Sequence, residues 1–152
     1  MLPRQEKLMT QRNIVVIGCS AGSFEGLRIL VAGLPSTLPA ALLVVTHMPA
    51  DRRSFLADIL NGASALPAIR PLEGDPVIHG RIYLPTVDRH LLVKNSRIKL
   101  TSGPKEKFSR PSIDTLFRSA ALCYGSRVIG ILLSGALDDG TARLEIIKDH
   151  GY

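Results

Sequence analysis

The chain has 152 residues, enough for one domain, and 45% of them are hydrophobic, which excludes a disordered chain. Its 19 basic and 13 acidic residues give a formal net charge of +6, which favours acidic partners without indicating a fold. The two cysteines, Cys19 and Cys123, lie far apart and have no histidine at ligand spacing, so neither a disulfide framework nor a metal site is predicted. Residues 1–12 lack the apolar segment of a secretory signal, and no apolar run approaches the ~20 residues that span a bilayer. These features favour a cytoplasmic domain without membrane insertion.

The first part of the chain predicts two strand–helix units. Residues 13–17 are apolar and mostly β-branched, which predicts a buried strand, and residues 25–34 predict a helix. Residues 41–45 predict a second strand, of the continuously apolar kind found in parallel sheets. Residues 51–61 predict a second helix, capped by Asp51 and followed by Gly62. The predicted apolar faces are Phe24, Leu27, Leu30 and Val31 in the first helix, and Phe55, Ile59 and Leu60 in the second.

The second part of the chain begins with a different pattern. Residues 68–101 hold the short strands RIYL, LLV and RIKL between turn residues, which predicts small antiparallel hairpins. The helical period returns at Arg110, with Pro111 suited to a first turn. The segment RVIGILLSG predicts another buried strand, and residues 141–149 begin a further helix. This order of elements predicts a layered α/β domain. The apolar face of the helix after Arg110 is predicted to be Ile113, Leu116, Phe117, Ala120 and Ala121.

Three polar segments follow three of the predicted buried strands. GCSAGS follows the first strand, THMP the second, and SGALDDG the strand near the end of the chain. Because functional loops of such sheets lie beyond the carboxyl ends of the parallel strands, these segments should open on one edge. They supply Ser20, His47 and the neighbouring pair Asp138 and Asp139. The sequence therefore predicts a candidate site at this edge of the sheet.

Residues 18–22, GCSAG, match the pattern G-x-S-x-G between a predicted strand and a predicted helix. In that context the pattern is typical of a nucleophile elbow, in which glycines allow a tight bend and Ser20 projects over the sheet edge. Two alternatives stay open, namely a turn whose small residues let helix and sheet pack, and a phosphate-binding loop. The phosphate loop is less favoured, because Ser20 and Ser23 stand where the glycine-rich fingerprints require glycine.

His47 stands where a general base for Ser20 is needed, at the end of a buried strand. A histidine at such a position is also common as a structural residue, and His90 is the second candidate for the base. Asp138 or Asp139 fits the acid that orients the base, although aspartates in a glycine-bounded loop are often turn residues. Together these residues give the order Ser, His, Asp, which predicts acyl transfer.

A basic segment lies between the predicted hairpins and the following helix. Such a cluster is most often a solvated face, but it is also suited to an acidic protein surface or a phosphate backbone. Phe108 is the aromatic residue close to it, which disfavours stacking on single-stranded nucleic acid. We call these residues the basic patch: Lys94, Arg97, Lys99, Lys105, Lys107 and Arg110.

Five segments of the chain resemble, in the same order, the CheB-type protein-glutamate methylesterases of bacterial chemotaxis. They are VVIGCSAGSFEGL, VVTHMP, GRIYLPTVDRHLLV, SRPSIDTLF and GILLSGALDDGTA. The resemblance implies a three-layer αβα sandwich around a mainly parallel sheet, with an antiparallel hairpin insertion. It implies a cytoplasmic signal-transduction enzyme that hydrolyses γ-glutamyl methyl esters of chemoreceptors, releases methanol, and often deamidates receptor glutamines.

The resemblance also implies roles for individual residues. Ser20 is the implied nucleophile, His47 the implied base and Asp139 the implied orienting acid, and no cofactor or metal is implied. The implied partner is the methylated cytoplasmic region of a chemoreceptor, an acidic helical bundle that suits the basic patch, rather than nucleic acid. The oxyanion and substrate-binding positions that the resemblance implies are Ala21, Gly22, Met48 and Ala136.

The chain departs from the family pattern at several places. Ser23 replaces a usual glycine, Ala136-Leu137 replaces a usual Met-Gly pair, and Thr86-Val87 replaces a usual Pro-Gly turn. The regulated members carry an N-terminal receiver domain, for which the first dozen residues here offer no counterpart. The expected division is a polar extension, residues 1–12, and a methylesterase domain, residues 13–152. That domain is expected to be incomplete, because the family pattern continues through at least one more strand and helix.

Two further functions compete with a serine hydrolase acting on glutamyl methyl esters. One is a truncated, non-catalytic relative that binds acidic receptor helices through the basic patch. The other, less favoured, is nucleic-acid binding by the same patch.

Overall fold

A computed structural model describes residues 12–20, 23–47, 55–86, 88–104 and 110–133. Within these ranges, five parallel strands form the main sheet in the order β3-β4-β2-β1-β7, and two antiparallel strands form a separate hairpin, β5-β6. The main-sheet strands are β1 (Ile14–Ser20), β2 (Ala41–His47), β3 (Ala68–Ile69), β4 (Ile82–Tyr83) and β7 (Val128–Leu133). The hairpin strands are β5 (His90–Lys94) and β6 (Arg97–Thr101).

In the described part of the chain, three α-helices cover the two faces of the main sheet. Helices α1 (Phe24–Ala32) and α2 (Leu56–Ala63) pack on one face, while α3 (Ile113–Tyr124) packs on the other and also contacts the hairpin. A short 3₁₀ helix, Gly125–Arg127, joins α3 to β7. Helix α3 begins with a side-chain cap, because the Ser112 hydroxyl accepts a hydrogen bond from the Thr115 N–H. None of the helices in the described part of the chain is long and apolar enough to cross a membrane.

Strand alternation divides the apolar side chains into two cores. Along β1, Ile14 and Val16 belong to the core under α3, whereas Ile17 and Cys19 belong to the core under α1 and α2. Successive side chains of a strand point to opposite faces, so a strand buried on both faces must be apolar throughout. This explains why β1 and β2 read as continuous apolar runs.

The main architecture agrees with the sequence prediction. The observed layers are helices, a mainly parallel sheet, and a further helix with the antiparallel hairpin, so the predicted α/β sandwich with a hairpin insertion is confirmed. The predicted apolar faces of α1 and α3 are buried or half-buried. Strands β1 and β2 continue beyond their predicted ends, to Ser20 and His47. The predicted cap at Asp51 and the predicted helix over residues 141–149 lie outside the described residues.

Several local predictions are wrong. The segment RIYL contributes β4 to the parallel sheet rather than to a hairpin, because β4 pairs with β2 and β3. In the predicted apolar stripe of α2, Leu60 is buried as expected, but Phe55 and Ile59 are 60% and 37% exposed. Leu56 is buried in their place. Gly62 lies inside α2 rather than after it.

Pro111 also lies outside the predicted position. Helix α3 starts at Ile113 after the Ser112 cap, so Pro111 precedes the cap instead of occupying the first turn. A proline there cannot disturb the helical hydrogen bonds, because it comes before the first helical residue.

Candidate active site

The structure brings Ser20 and His47 together at the carboxyl edge of the sheet. They are the last residues of β1 and β2, and they face each other directly in the register of this parallel pair. Neighbouring strands lie about 4.8 Å apart in the hydrogen-bonding direction, so two side chains in this register start from adjacent backbone positions. The prediction that the polar segments after these strands share one edge of the sheet is confirmed for Ser20 and His47.

Alternation along the strands assigns both side chains to the same face of the sheet. Val16 of β1 and Val45 of β2 lie in the core under α3, and Ser20 and His47 follow them at even spacing. Both residues are half-buried, and the Nε2 atom of His47 is itself shielded from solvent. A hydroxyl and an imidazole at facing register positions on one face of the sheet have the composition of a nucleophile and its base.

The Ser20 hydroxyl lies beside Ser23, the residue at which the described part of the chain resumes after β1. Ser20 Oγ is 3.2 Å from Ser23 Oγ. Ser23 in turn donates to the backbone oxygen of Leu133 at 2.6 Å and approaches the backbone oxygen of Ser20 at 3.0 Å. Because Leu133 ends β7, this hydroxyl connects the end of β1 with the end of its other neighbouring strand.

Cys19 is next to Ser20 but has a different environment. It is fully buried, and it packs in the core under α1 and α2, on the other face of the sheet. Burial raises the pKa of the Cys19 thiol, and a hydrogen bond with Ser23 opposes this shift. A buried thiol with a raised pKa stays protonated at neutral pH, so Cys19 is not a competing nucleophile.

Gly18 has a role different from the one that the sequence suggested. It lies within β1, where any residue could adopt its backbone conformation. A Cβ at this position, however, would lie 2.4 Å from Ile113 Cγ2. The glycine is therefore required because the first turn of α3 approaches β1 closely. The interpretation of Gly18 as part of a tight bend is wrong, because Gly18 lies within β1. Of the alternative, a turn whose small residues let helix and sheet pack, only the packing part holds at Gly18.

His90, the second candidate for the base, is a structural residue. It is buried, its Nδ1 accepts a hydrogen bond from the Ser112 N–H at 3.2 Å, and its Nε2 lies 2.7 Å from the backbone oxygen of Pro104. Since Nδ1 must be unprotonated to accept, Nε2 carries the proton and donates it to Pro104. Both nitrogens are used to join the start of α3 to the hairpin, which leaves neither for a substrate.

The remaining predicted site residues lie outside the described residues. They are Ala21, Gly22, Met48, Ala136, Asp138 and Asp139. The segment that carries the two aspartates follows β7, and β7 ends at the same edge, with Leu133 beside Cys19 in the register. Among the residues described, no group of histidine, cysteine and carboxylate side chains could hold a metal ion.

Sequence reasoning missed the contribution of Ser23. The sequence pattern marks Ser23 only as a replacement for glycine. A serine three residues after a candidate nucleophile is nevertheless within local hydrogen-bonding range. The contact of Gly18 with Ile113 had no local signal, because the two residues are distant in the chain and only the packed fold joins them.

Comparison with known proteins places these features in a family. The family model described as CheB methylesterase matches residues 15–152. A protein-glutamate methylesterase/protein-glutamine glutaminase of Methanosarcina acetivorans is 42% identical over 153 residues, covering 95% of this chain and 43% of the relative. A protein of the same name from the group 3 operon of Pseudomonas putida is 34% identical over 143 residues, covering 93% of this chain and 42% of the relative.

A solved structure agrees with the fold. The CheB methylesterase catalytic domain of Thermotoga maritima superposes with a TM-score of 0.84 at 33% identity, covering 91% of this chain and 76% of that one. The chain spans less than half the length of the two curated relatives. With a family match over most of its length and the fold of a solved member, the chain belongs to the CheB methylesterase family.

Proposed function

We propose that this chain is a serine hydrolase that removes methyl esters from glutamate side chains of a chemoreceptor-like protein. The observation that carries the proposal is the pairing of Ser20 with His47 at the carboxyl ends of adjacent parallel strands. The names of the relatives, protein-glutamate methylesterase and protein-glutamine glutaminase, supply the substrate class. The same centre is proposed to deamidate glutamine side chains.

The proposed reaction passes through an acyl-enzyme. Ser20 Oγ attacks the ester carbonyl carbon while His47 accepts the hydroxyl proton, and His47 then delivers that proton to the departing methoxide, which leaves as methanol. Water, deprotonated by His47, attacks the glutamyl–Ser20 ester and releases a glutamate carboxylate. For a glutamine substrate the leaving group in the first step is ammonia.

The other parts of the centre are assigned to residues of the neighbouring loops. Asp139 is proposed to orient the His47 ring and to stabilise its protonated form. Main-chain N–H groups at Ala21 and Gly22 are proposed to stabilise the oxyanion, as donors at the start of a helix can do. Met48 and Ala136 are proposed to contact the substrate.

Methanol release from methylated receptor membranes tests this function. We expect Ser20→Ala to abolish turnover, because loss of the nucleophile from a serine triad lowers the rate by up to ~10⁶-fold. The fold should survive, since the hydroxyl of the half-buried Ser20 contributes little to packing. A Ser20→Ala variant that releases methanol at the rate of the unmodified chain would refute the nucleophile assignment.

A second candidate function is non-catalytic binding to acidic receptor helices. It is favoured by a groove of about 600 Å³ between the hairpin and α3, which is lined by the exposed Lys94 and Lys99 and by the exposed apolar Leu122. Cationic side chains beside an apolar surface suit an acidic amphipathic helix. If the unmodified chain binds the receptor but releases no methanol, the binding function is supported and the hydrolase function is not.

A further inference from the structure

The Ser23 hydroxyl has more polar neighbours than it has protons. Its Oγ atom lies 2.6 Å from the Leu133 backbone oxygen, 3.0 Å from the Ser20 backbone oxygen, 3.2 Å from Ser20 Oγ and 3.2 Å from Cys19 Sγ. A serine hydroxyl donates one hydrogen bond and accepts up to two. The two backbone oxygens can only accept, so one of them takes the Ser23 proton, and Leu133 has the shorter contact.

This proton count fixes the direction of the contact between the two serines. With its proton on a backbone oxygen, Ser23 can meet Ser20 Oγ only as an acceptor, so the Ser20 hydroxyl must be the donor. In the described part of the chain the Ser20 proton therefore points at Ser23. Catalysis requires the same proton to move to His47.

We propose that Ser23 is a positioning residue that holds the Ser20 hydroxyl in a resting orientation, from which it must turn before His47 can accept its proton. The inference rests on the proposed function for its kinetic consequence, but its geometric part concerns the two serines alone. Ser23 cannot follow Ser20 as it turns, because its own hydroxyl is bound to the end of β7. The reacting serine therefore loses a hydrogen bond on the way to the transition state.

The consequence is a nucleophile whose reactivity is held down by its neighbour. Removing the Ser23 hydroxyl takes away a hydrogen bond that stabilises only the resting state, so the barrier falls. The expected gain is roughly threefold to tenfold in rate, the effect of one net hydrogen bond between neutral groups. A purely structural role for Ser23 gives the opposite sign, since losing its contacts with the ends of β1 and β7 would place Ser20 less accurately and slow the reaction.

The rate of Ser20 phosphonylation by a fluorophosphonate probe measures this reactivity. In that reaction Ser20 Oγ bonds to phosphorus, fluoride leaves, and His47 takes the serine proton. We expect Ser23→Ala to be labelled roughly threefold to tenfold faster than the unmodified chain, while Ser23→Thr, which keeps the hydroxyl, is labelled at the original rate. Ser64→Ala is a matched control, because the Ser64 hydroxyl accepts from the Leu66 N–H at the distant end of α2. It should leave the labelling rate unchanged.

Crystal structures of the unmodified chain and of Ser23→Ala test the geometric part without any activity. We expect Ser20 Oγ to contact Ser23 in the former and to turn away from that position in the latter. Labelling of Ser23→Ala that is equal or slower, or a Ser20 rotamer that is the same in both structures, would overturn the inference. An unmodified chain that is not labelled at all would instead count against the proposed function, and the pair of crystal structures would still decide the role of Ser23.

Discussion

Two histidines of this chain show what the structure adds at the scale of single residues. In the sequence, His47 and His90 are both candidates for a general base, and only the position of His47 after a buried strand favours it. The structure separates them through their neighbours: His47 stands beside Ser20, whereas His90 joins Ser112 to Pro104. The presence of a buried strand can be predicted from an apolar run, although β1 and β2 extend two to three residues beyond theirs. The hydrogen bonds of a buried imidazole depend instead on residues distant in the chain.

The choice between Asp138 and Asp139 leads to a prediction about turnover. An orienting aspartate bonded to the base holds the reactive tautomer, and its replacement by the isosteric amide lowers turnover by ~10⁴-fold in a serine protease. We therefore expect Asp139→Asn to reduce methanol release by orders of magnitude with little effect on binding. Asp138→Asn, the matched control one residue away, should change it at most several-fold, with folding of both variants checked by circular dichroism.

The outcome of that pair of variants can contradict the assignment in two ways. If Asp138→Asn is the inactive variant, the acid is the neighbouring residue. If both variants keep their turnover, the two aspartates only form the turn that glycine-bounded aspartates commonly make.

The two cysteines lead to a prediction about pH. The pKa of Cys19 is raised mainly by burial, so the thiolate that reacts with alkylating agents forms only above the ordinary range of a cysteine. We expect iodoacetamide to modify the partly exposed Cys123 first in the folded chain, and Cys19 only at strongly alkaline pH or after unfolding. Mass spectrometry of Cys123→Ser and Cys19→Ser variants measures each site separately. Fast modification of Cys19 at neutral pH would show that it is accessible.

Secondary-structure elements follow the sequence most closely where their apolar pattern is long. Helix α3 has five predicted core positions, and all five are buried, because a long amphipathic stripe determines which face packs. Helix α2 is short, and two overlapping stripes fit its sequence, so packing against its neighbours decides between them. Strand β4 has only two residues, Ile82 and Tyr83, and its parallel pairing depends on β2 and β3 rather than on local turns.

The contact between α3 and β1 leads to a prediction about stability. A methyl group at residue 18 would lie 2.4 Å from Ile113 Cγ2, so Gly18→Ala must shift the Ile113 side chain, in the first turn of α3, away from the strand that carries Ser20. We expect this variant to lose about 1–3 kcal/mol of unfolding free energy, the usual effect of overpacking a core. Urea denaturation followed by circular dichroism measures the loss.

Gly26 is the matched control for Gly18. It lies in the exposed side of α1, and a Cβ there would meet nothing within 4 Å. Gly26→Ala should stabilise the chain by about 0.5–1 kcal/mol, because alanine loses less conformational freedom in a helix.

A double variant tests the packing contact directly. Adding Ile113→Ala to Gly18→Ala should give a combined loss of unfolding free energy smaller than the sum of the two single losses. Additive losses, or a Gly18→Ala variant of unchanged stability, would contradict the packing explanation.

At the scale of the whole molecule, the candidate site and the groove between the hairpin and α3 lie near opposite ends of α3. Ile113, in the first turn, packs against β1 near Ser20, whereas Leu122 and Cys123, in the last turn, line the groove. A helix of 12 residues is about 18 Å long at 1.5 Å per residue. Under the proposed function, a receptor helix longer than α3 can contact the groove and still present another part of its length to the site.

The structure shows that some cations of the basic patch are bound within the protein instead of being available to a partner. Arg110 is paired with Asp88 at 2.8 Å, and Arg97 donates to the Gly74 backbone oxygen at 3.0 Å, so both help to hold the hairpin region together. Lys105 and Lys107 lie outside the described residues. Lys94 and Lys99 are the exposed cations of the patch that line the groove.

The groove leads to a prediction about receptor affinity. Exposed charges are screened over ~8–10 Å at physiological ionic strength, so binding of an acidic receptor helix should weaken as salt is added. We expect Lys99→Glu to weaken binding roughly twofold to tenfold at low salt, since it replaces an attraction between exposed charges with a repulsion. Arg28→Glu is the control for net charge, because it makes the same change in charge on α1, across the sheet from the groove. It also breaks the exposed ion pair with Glu25, and exposed pairs contribute little to stability, so folding of this variant is checked by circular dichroism. Titration of both variants with a receptor fragment at several salt concentrations separates the explanations. If both variants weaken binding equally, only the net charge of +6 matters. If neither added salt nor Lys99→Glu changes the affinity, the lysines are solvated side chains without a role in binding.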